Sequence, residues 1–345
     1  MIYHGNAYDY ICETPDVLRN IIYRKNGLLK DALKILNKDF QCIYITGAGS
    51  SYHAAVGAAD FMMRLMKKKV LAVRPEELLR HTQFLDRDSI CIGISQQGTS
   101  LSVIKALDAV SAHTVSTIAM TGEYKTEITK HGDAALYIEC GIEDAGATTK
   151  GYTATLVTLM LLAMDYAQTH KTYPERKMLE LYNSLESCIL WMPEAIKTAL
   201  KIYRERKEDL VSTSDLFVVS DYDNRAAMLE CELKFAETCR FPVRGKYAED
   251  FMHGLYNAVD DHTIFLMFGK SEDLLHLKDY YKKTNAVLYL DVPPVSEKNP
   301  FTMLYYIVET QIIFVLLSKD RGINLNIPRD PNFHKKMHSK IEPSL

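Results

Sequence analysis

The sequence predicts an α/β protein made of two doubly wound halves, each a parallel sheet covered by helices. Three observations predict it. Apolar runs of strand length alternate with segments of helical period along most of the chain. Those runs are continuous rather than alternating, as strands buried on both faces require. The series then pauses in a charged helical stretch and resumes, so the halves resemble one another in architecture.

The elements follow in order. A helical amino-terminal arm is expected over Thr14 to Leu36, and the first strands are "CIYIT" (Cys42 to Thr46), "SICIGIS" (Ser89 to Ser95), "STIAMTG" (Ser116 to Gly122) and "AALYIE" (Ala134 to Glu139). From Lys171 to about Ser212 the apolar positions recur at three and four residues, which predicts one or two connecting helices. Strands return at "DLFVVS" (Asp215 to Ser220), "HTIFLMF" (His262 to Phe268) and "AVLYLDV" (Ala286 to Val292), before a helix from Phe301 to Ser318 that reads as core. The predicted organisation is residues 1–170 for the arm and first α/β unit, 171–213 for a helical connector, and 214–345 for the second unit. The last of these includes a polar, proline-broken tail.

Composition narrows the partners. Acidic and basic residues nearly balance at a formal charge of -3, so no broad basic face for nucleic acid is implied. No run reaches the roughly 18 apolar residues of a membrane span, and the start "MIYHGNAYDYICETPD" lacks a signal-peptide pattern, so a cytoplasmic protein is expected. The cysteine count of 7, with no C-x-x-C pair, predicts reduced and mostly buried thiols rather than disulfides or a zinc site. No metal and no cofactor is expected.

Chemistry enters at "YITGAGSSYHAAVGAADFMMRL" (Tyr44 to Leu65), a strand, a small-residue turn and a helix. Such a turn leaves backbone N–H groups and a positive dipole end for an anion. It lacks the third glycine of a dinucleotide fingerprint and the Gly-Lys-Ser/Thr of a Walker loop. Gly47 and Gly49 suit the tight turn, and Ser50 and Ser51 either donate to a phosphate or cap the helix. "SICIGISQQGTSLSVIKAL" repeats the logic, with Ser95, Gln96, Gln97, Gly98, Thr99 and Ser100 between strand and helix. Two such turns facing each other across a sheet edge suit a phosphate monoester.

The pair resembles the sugar isomerase (SIS) family, in which "GSSYHA" (Gly49 to Ala54) and "SQQGTS" (Ser95 to Ser100) match the phosphosugar turns. "GATTKGYTATLVTLMLLA" (Gly146 to Ala163) is similar to a third segment, in the isomerase domain of glucosamine-6-phosphate synthase. The resemblance implies that Ser51, Ser95, Gln96 and Ser100 contact the phosphate or sugar and that Thr148 approaches the sugar hydroxyls. Gln97 stands where the family has a serine, exchanging a hydroxyl for a longer amide.

In "ECELKFAETCRFPVRGKYAEDFMHGLYNAV" (Glu230 to Val259), Lys234 and Glu237 share one helical face. By spacing alone they form a surface ion pair or a tuned carboxylate. The resemblance implies that Glu237 carries a proton between C1 and C2, with Lys234 beside it, and that His253, sixteen residues later, opens the sugar ring. It also implies a homodimer in which the histidine of one subunit completes the neighbour's site. A Schiff-base lysine is expected in the tail at Lys335 or Lys336, although the spacing after Pro328 and Arg329 departs from the family. The loop "FPVRGKYAED", with Arg240, Arg244, Lys246 and Tyr247, either shapes the pocket or is solvated surface.

The function the resemblance implies is a phosphosugar enzyme with a small-molecule sugar phosphate as its partner, foremost a fructosamine 6-phosphate deglycase of the fructoselysine type. The alternatives are an amino-sugar phosphate isomerase or deaminase, and a non-catalytic sugar-phosphate sensor.

Overall fold

The computed structural model describes residues 4–113, 116–292 and 299–341. Helices α1 (Ala7–Leu28) and α2 (Lys30–Leu36) precede β1 (Cys42–Gly47), α3 (Ser50–Met66), β2 (Lys69–Val73), α4 (Pro75–Arg80) and β3 (Ser89–Ile94). Then come α5 (Leu101–Ser111), β4 (Ser116–Thr121), β5 (Ala134–Tyr137) and α6 (Lys150–His170). The strands pair in parallel in the order β2-β1-β3-β4-β5.

A long amphipathic helix, α7 (Glu175–Glu205), and the short α8 (Lys207–Ser212) lead to a second parallel sheet. Along α7 the buried residues Leu185, Cys188, Ile189, Met192, Ile196 and Ala199 fall every three or four positions, which gives the helix one core-facing stripe. The second sheet has the order β7-β6-β8-β9. Its elements are β6 (Leu216–Ser220), α9 (Arg225–Cys239), β7 (Val243–Tyr247), α10 (Ala248–Met252), β8 (Ile264–Phe268), α11 (Glu272–Tyr281) and β9 (Ala286–Leu290). Helices α12 (Met303–Asp320) and α13 (Phe333–Lys336) end the described chain.

Two strands were not expected from the sequence. β2 and β7 both lie at sheet edges, where one side stays unpaired and polar residues are tolerated. The "FPVRGKYAED" segment is therefore largely strand β7 and its flank. Arg244 pairs with Asp215 and lies over the Phe217 ring, while Arg240 donates to the Ile327 carbonyl. Both arginines serve the framework.

The sheets share a core. One hydrophobic cluster runs from Ile43 and Ile45 of β1, through α3, α6, α9 and α12, to Val218 of β6 and Leu266 of β8. Helices α6 and α12 are buried along almost their whole length, so they are apolar on all sides rather than on one stripe. All seven cysteines are free thiols and six are buried. Among the described residues, no helix is long and apolar enough to cross a membrane.

Helix α12 fixes α9 by packing along it, and Phe314 meets Phe235 edge-on with ring centroids 6.1 Å apart. Phe314→Ala is expected to lower the unfolding free energy by about 3–5 kcal/mol, the usual cost of truncating a buried phenylalanine. Denaturant titration checks this, and a loss below about 1 kcal/mol would mean that the two helices repack freely.

Candidate active site

In the first sheet, β1 leads outward to β2 on one side while β3 lies on its other side. The carboxyl ends of β1 and β3 thus flank the switch in strand order, where open α/β sheets hold ligands. The two hydroxyl-rich turns leave the sheet at that point.

The first turn rests on Gly49, whose φ of 55° lies in the left-handed region that glycine accepts without strain. It brings the start of α3 under α9, since a Cβ added at Gly49 would touch Leu233 Cδ2 at 3.5 Å. The two serines then divide. Ser50 turns inward and donates its hydroxyl to Glu230 Oε1 at 2.8 Å, so its proton is not offered to a ligand. The hydroxyl of Ser51 makes no hydrogen bond among the described residues, and it is the serine placed to meet an anion.

The second turn is held by its own side chains. Ser95 Oγ accepts the Ser100 N–H at 3.2 Å, and Gly98, at φ 66°, bonds back to the Ser95 carbonyl at 2.9 Å. Gln96 faces inward, its amide nitrogen 3.2 Å from Cys140 Sγ and its oxygen 3.4 Å from Thr155 Oγ1. Ser100 Oγ lies 3.4 Å from Ser102 Oγ. Thr99 presents its carbonyl to Ile341 N–H at 2.9 Å.

Thr148, half-buried, sits just before α6 and has no hydrogen-bond partner among the described residues. The start of α6 is closed by Glu143. That carboxylate accepts the Thr149 N–H at 2.6 Å, the Thr149 hydroxyl at 2.6 Å, and the Lys150 and Gly151 N–H groups at 3.0 Å each. The helix dipole there is met from within the chain.

Helix α9 lays a row of charges above the first turn. Lys234, 4% exposed, donates to Glu237 Oε2 at 2.8 Å and lies 3.8 Å from Glu230 Oε1. Burial pulls the Lys234 pKa down, but the carboxylates of Glu237 and Glu230 outweigh it and hold the ammonium charged well above its ordinary range. Glu230 is buried as well, and its Oε2 lies 2.8 Å from His53 Nδ1. Glu237, by contrast, is open to solvent along its outer side.

The tail supplies another cation. Helix α13 ends in a Schellman turn, with His338 at φ 49° and the Ser339 N–H bonding to the His334 carbonyl at 3.1 Å. The chain is thereby aimed at the second turn, where Lys340 pairs antiparallel with Ser100. Lys340 Nζ donates to Gln97 Oε1 at 2.9 Å. Burial pushes the Lys340 pKa below its ordinary value, while the Glu237 carboxylate pulls it partly back.

The structure thus gathers Ser51, Gln97, Thr99, Ser100, Lys234 and Glu237 with three residues the sequence reading passed over, His53, Glu230 and Lys340. Glu230 stands four residues before Lys234, a spacing that marks it as a neighbour on the helix. Two further expected catalytic residues are exposed. Lys335 is exposed on α13, and the tail lysine at the turn is Lys340. His253 follows α10, with its side chain 74% exposed and its Nε2 2.9 Å from Glu249. Ala248 and Phe251 of α10 pack with Phe217 and Phe265, whereas α9 packs in the core shared by both sheets. His253 and Glu237 are therefore not partners within one chain.

The fold and these turns define an α/β protein with two hydroxyl-lined turns at a sheet edge, beside a row of charges in which Glu230 and Lys234 are buried and Glu237 is exposed. Comparison with known proteins gives this class a name. Residues 38–165 match the SIS domain. It is 29% identical over 346 residues to the glutamine–fructose-6-phosphate aminotransferase (isomerizing) of Pyrococcus horikoshii, an alignment covering 93% of this chain and 56% of that enzyme. The chain thus spans little more than half of that relative's length. A crystal structure of a candidate phosphosugar isomerase from Clostridium difficile 630 superimposes with a TM-score of 0.90 at 27% identity, covering 98% of this chain and 99% of the other. The C-terminal domain of glucosamine-fructose-6-phosphate aminotransferase from Francisella tularensis shares the fold, with a TM-score of 0.81 at 17% identity, covering 93% and 97%.

The Glu143 cap gives a direct expectation. Glu143→Ala strips the partner from three N–H groups at the start of a buried helix and is expected to destabilise the protein by about 2–3 kcal/mol. Thermal or denaturant unfolding reads this, and an effect below about 0.5 kcal/mol would show that water replaces the carboxylate.

Proposed function

We propose that this chain is a two-SIS-domain enzyme acting on a ketosamine 6-phosphate, foremost a fructosamine (fructoselysine-type) 6-phosphate deglycase. The two units are residues 1–170 and 214–345, joined by the connector 171–213. The observation that carries the reading is the 2.8 Å pair of Lys234 and Glu237 beside two hydroxyl-lined turns at one sheet edge.

The phosphate of the substrate lies at the first turn, where the Ser51 hydroxyl and the start of α3 face it. Thr148 meets the sugar hydroxyls. Glu237 takes a proton from C1 of the open ketosamine as the C2 oxygen gains one, giving the enaminol, and returns its proton to C2 as the nitrogen gives one up, which leaves an imine at C1. Water then adds to that imine, and breaking the C1–N bond frees a hexose 6-phosphate and an amine. Lys234 fixes the direction in which Glu237 points. The exposed His253 opens the ring in the site of a neighbouring copy, so the working unit is a homodimer, and the enzyme is cytoplasmic.

One observation favours a second reading. Lys340 brings an amine of lowered pKa to the second turn, and such an amine captures an open-chain ketone, a step that a substrate already carrying its amine on C1 does not need. That arrangement suits an amino-sugar 6-phosphate isomerase or deaminase of the glucosamine 6-phosphate type. A binding-only sugar-phosphate sensor leaves the ordered Lys234–Glu237 pair without a task.

The test is product formation from fructoselysine 6-phosphate, coupled to glucose-6-phosphate dehydrogenase. The unmutated protein is expected to form glucose 6-phosphate, and Glu237→Gln to lose about 10²–10⁴-fold in rate, the scale of general acid–base catalysis. Lys340→Met is expected to spare this reaction. No product from the unmutated protein would sink the deglycase reading, and turnover of glucosamine 6-phosphate that collapses in Lys340→Met would establish the second one.

A further inference from the structure

His53 is a buried titratable group that the proposed chemistry leaves unused. It is 6% exposed in the first turn of α3, and its Nδ1 lies 2.8 Å from Glu230 Oε2. Glu230, 3% exposed, uses its other oxygen to accept the Ser50 hydroxyl at 2.8 Å. That same oxygen stands 3.8 Å from Lys234 Nζ, which donates to Glu237 at 2.8 Å. Two carboxylates of one helix therefore compete for a single buried ammonium, and Glu237 holds it.

We infer that His53 is a positioning residue that keeps Glu230 satisfied, so that the Lys234 ammonium serves Glu237. The inference rests on the proton-carrying role proposed for Glu237. A buried carboxylate needs donors or a counter-charge on both oxygens. Ser50 supplies one donor and the His53 Nδ1–H the other. The remaining surroundings offer no substitute for the imidazole. Tyr152 of α6, which faces Glu230, commits its hydroxyl to the Ala226 carbonyl. Cys231 is a neutral thiol whose pKa is raised well above its ordinary value by burial and then by Glu230. Glu143, on the far side of Lys234, is another acid.

Remove the imidazole, and Glu230 is left with Oε2 unpaired and its charge offset by one donor, while its Oε1 stands 3.8 Å from one cation. The lysine side chain is long enough to close a gap of 3.8 Å by rotating about its own bonds. The contact to Glu237 is then lost. The histidine of "GSSYHA" thereby couples the phosphate turn to the base without touching the substrate.

The experiment compares His53→Leu, His53→Asn and the double variant His53→Leu/Glu230→Gln. It uses steady-state kinetics on whichever sugar phosphate the unmutated protein turns over, and crystal structures of the same variants. His53→Leu is expected to lose about 10- to 100-fold in kcat with KM within about twofold, because the base is misaligned rather than the substrate released. His53→Asn, whose amide nitrogen falls where Nδ1 stood, should restore kcat to within about threefold of the unmutated enzyme. The double variant removes the competing charge and should recover most of the loss. In the His53→Leu crystal, Lys234 should sit on Glu230.

A folded His53→Leu protein with full kcat, or a loss carried by KM alone, would overturn the inference. So would a Lys234–Glu237 contact unchanged in the His53→Leu crystal. If His53→Leu does not fold, the double variant decides, since activity in it supports the inference and its folding without activity overturns it. An unmutated protein inactive on every sugar phosphate defeats the proposed function instead, and the position of Lys234 in the variant crystals then decides whether His53 governs it.

Discussion

The site depends on one buried ammonium. Lys234 is the buried ammonium set among Glu230, Glu237 and the nearby Glu143, and burial pulls its pKa down. It stays charged because the carboxylates outweigh the loss of hydration, and they can do so only while α9 holds its rotation against α3. That rotation comes from the core. Phe235, Cys231 and Met228 of α9 lie in the cluster that also takes in α12, α6 and α3, so the packing of the two sheets sets which way the charged face points. A small turn of α9 would leave a buried acid without its partner, at a cost far above that of a surface ion pair.

Three helices begin around the same sheet edge, and the chain treats their positive ends differently. The start of α6 is filled by Glu143. The start of α5 is covered by the tail, where the Leu101 N–H donates to the Ser339 carbonyl at 3.2 Å and the Ser100 N–H to Ser95 Oγ. Among the described residues, α3 is the one whose first backbone N–H groups bond to neither a carboxylate nor the tail, since Glu230 takes the Ser50 hydroxyl and His53 Nδ1 instead. The backbone N–H groups that "GAGSSYHA" offers an anion are thus left open at one helix of the three, and the proposed function sets the phosphate there.

Much of this was legible in the sequence. Buried parallel strands announce themselves as unbroken apolar runs, and "CIYIT" and "IFLMF" became β1 and β8 at nearly the expected bounds. "KVLAV" and "VRGKY" did not, because an edge strand is half solvated and keeps its lysines and arginines. The turns were legible for the same local reason, since glycine and hydroxyl residues between strand and helix have few other uses. The partners of Ser50 and Lys340 were hidden, because they lie 180 and 243 residues away in the chain and follow from tertiary packing rather than spacing. Lys335 drew attention by its nearness to "PRDPNF", yet a Schellman turn at His338 carries the chain on and brings Lys340 to the second turn.

The second sheet repeats the strand order of the first without repeating its chemistry. Its switch lies between β6 and β8, the counterparts of β1 and β3, and a cavity of about 380 Å³ opens there, lined by Asp60, Asp221, Arg225 and Lys270 among others. The position at which an anion would meet the backbone is taken by the chain's own carboxylate. Asp221 Oδ1 accepts the Asn224 N–H and side-chain amide at 3.1 and 2.7 Å, and its Oδ2 accepts the Lys270 N–H at 2.7 Å. A phosphate entering there would have to displace a covalently tethered anion already paired with the N–H groups it seeks. The Arg225 guanidinium is likewise committed, 2.8 Å from Asp60 of α3. With that edge closed, the second sheet makes a different contribution, the helix α9 whose acids and lysine reach back over the turn of the first. The two sheet edges thus differ in where negative charge sits: at the second it is the chain's own Asp221, and at the first, among the described residues, no carboxylate bonds to the backbone N–H groups that open α3.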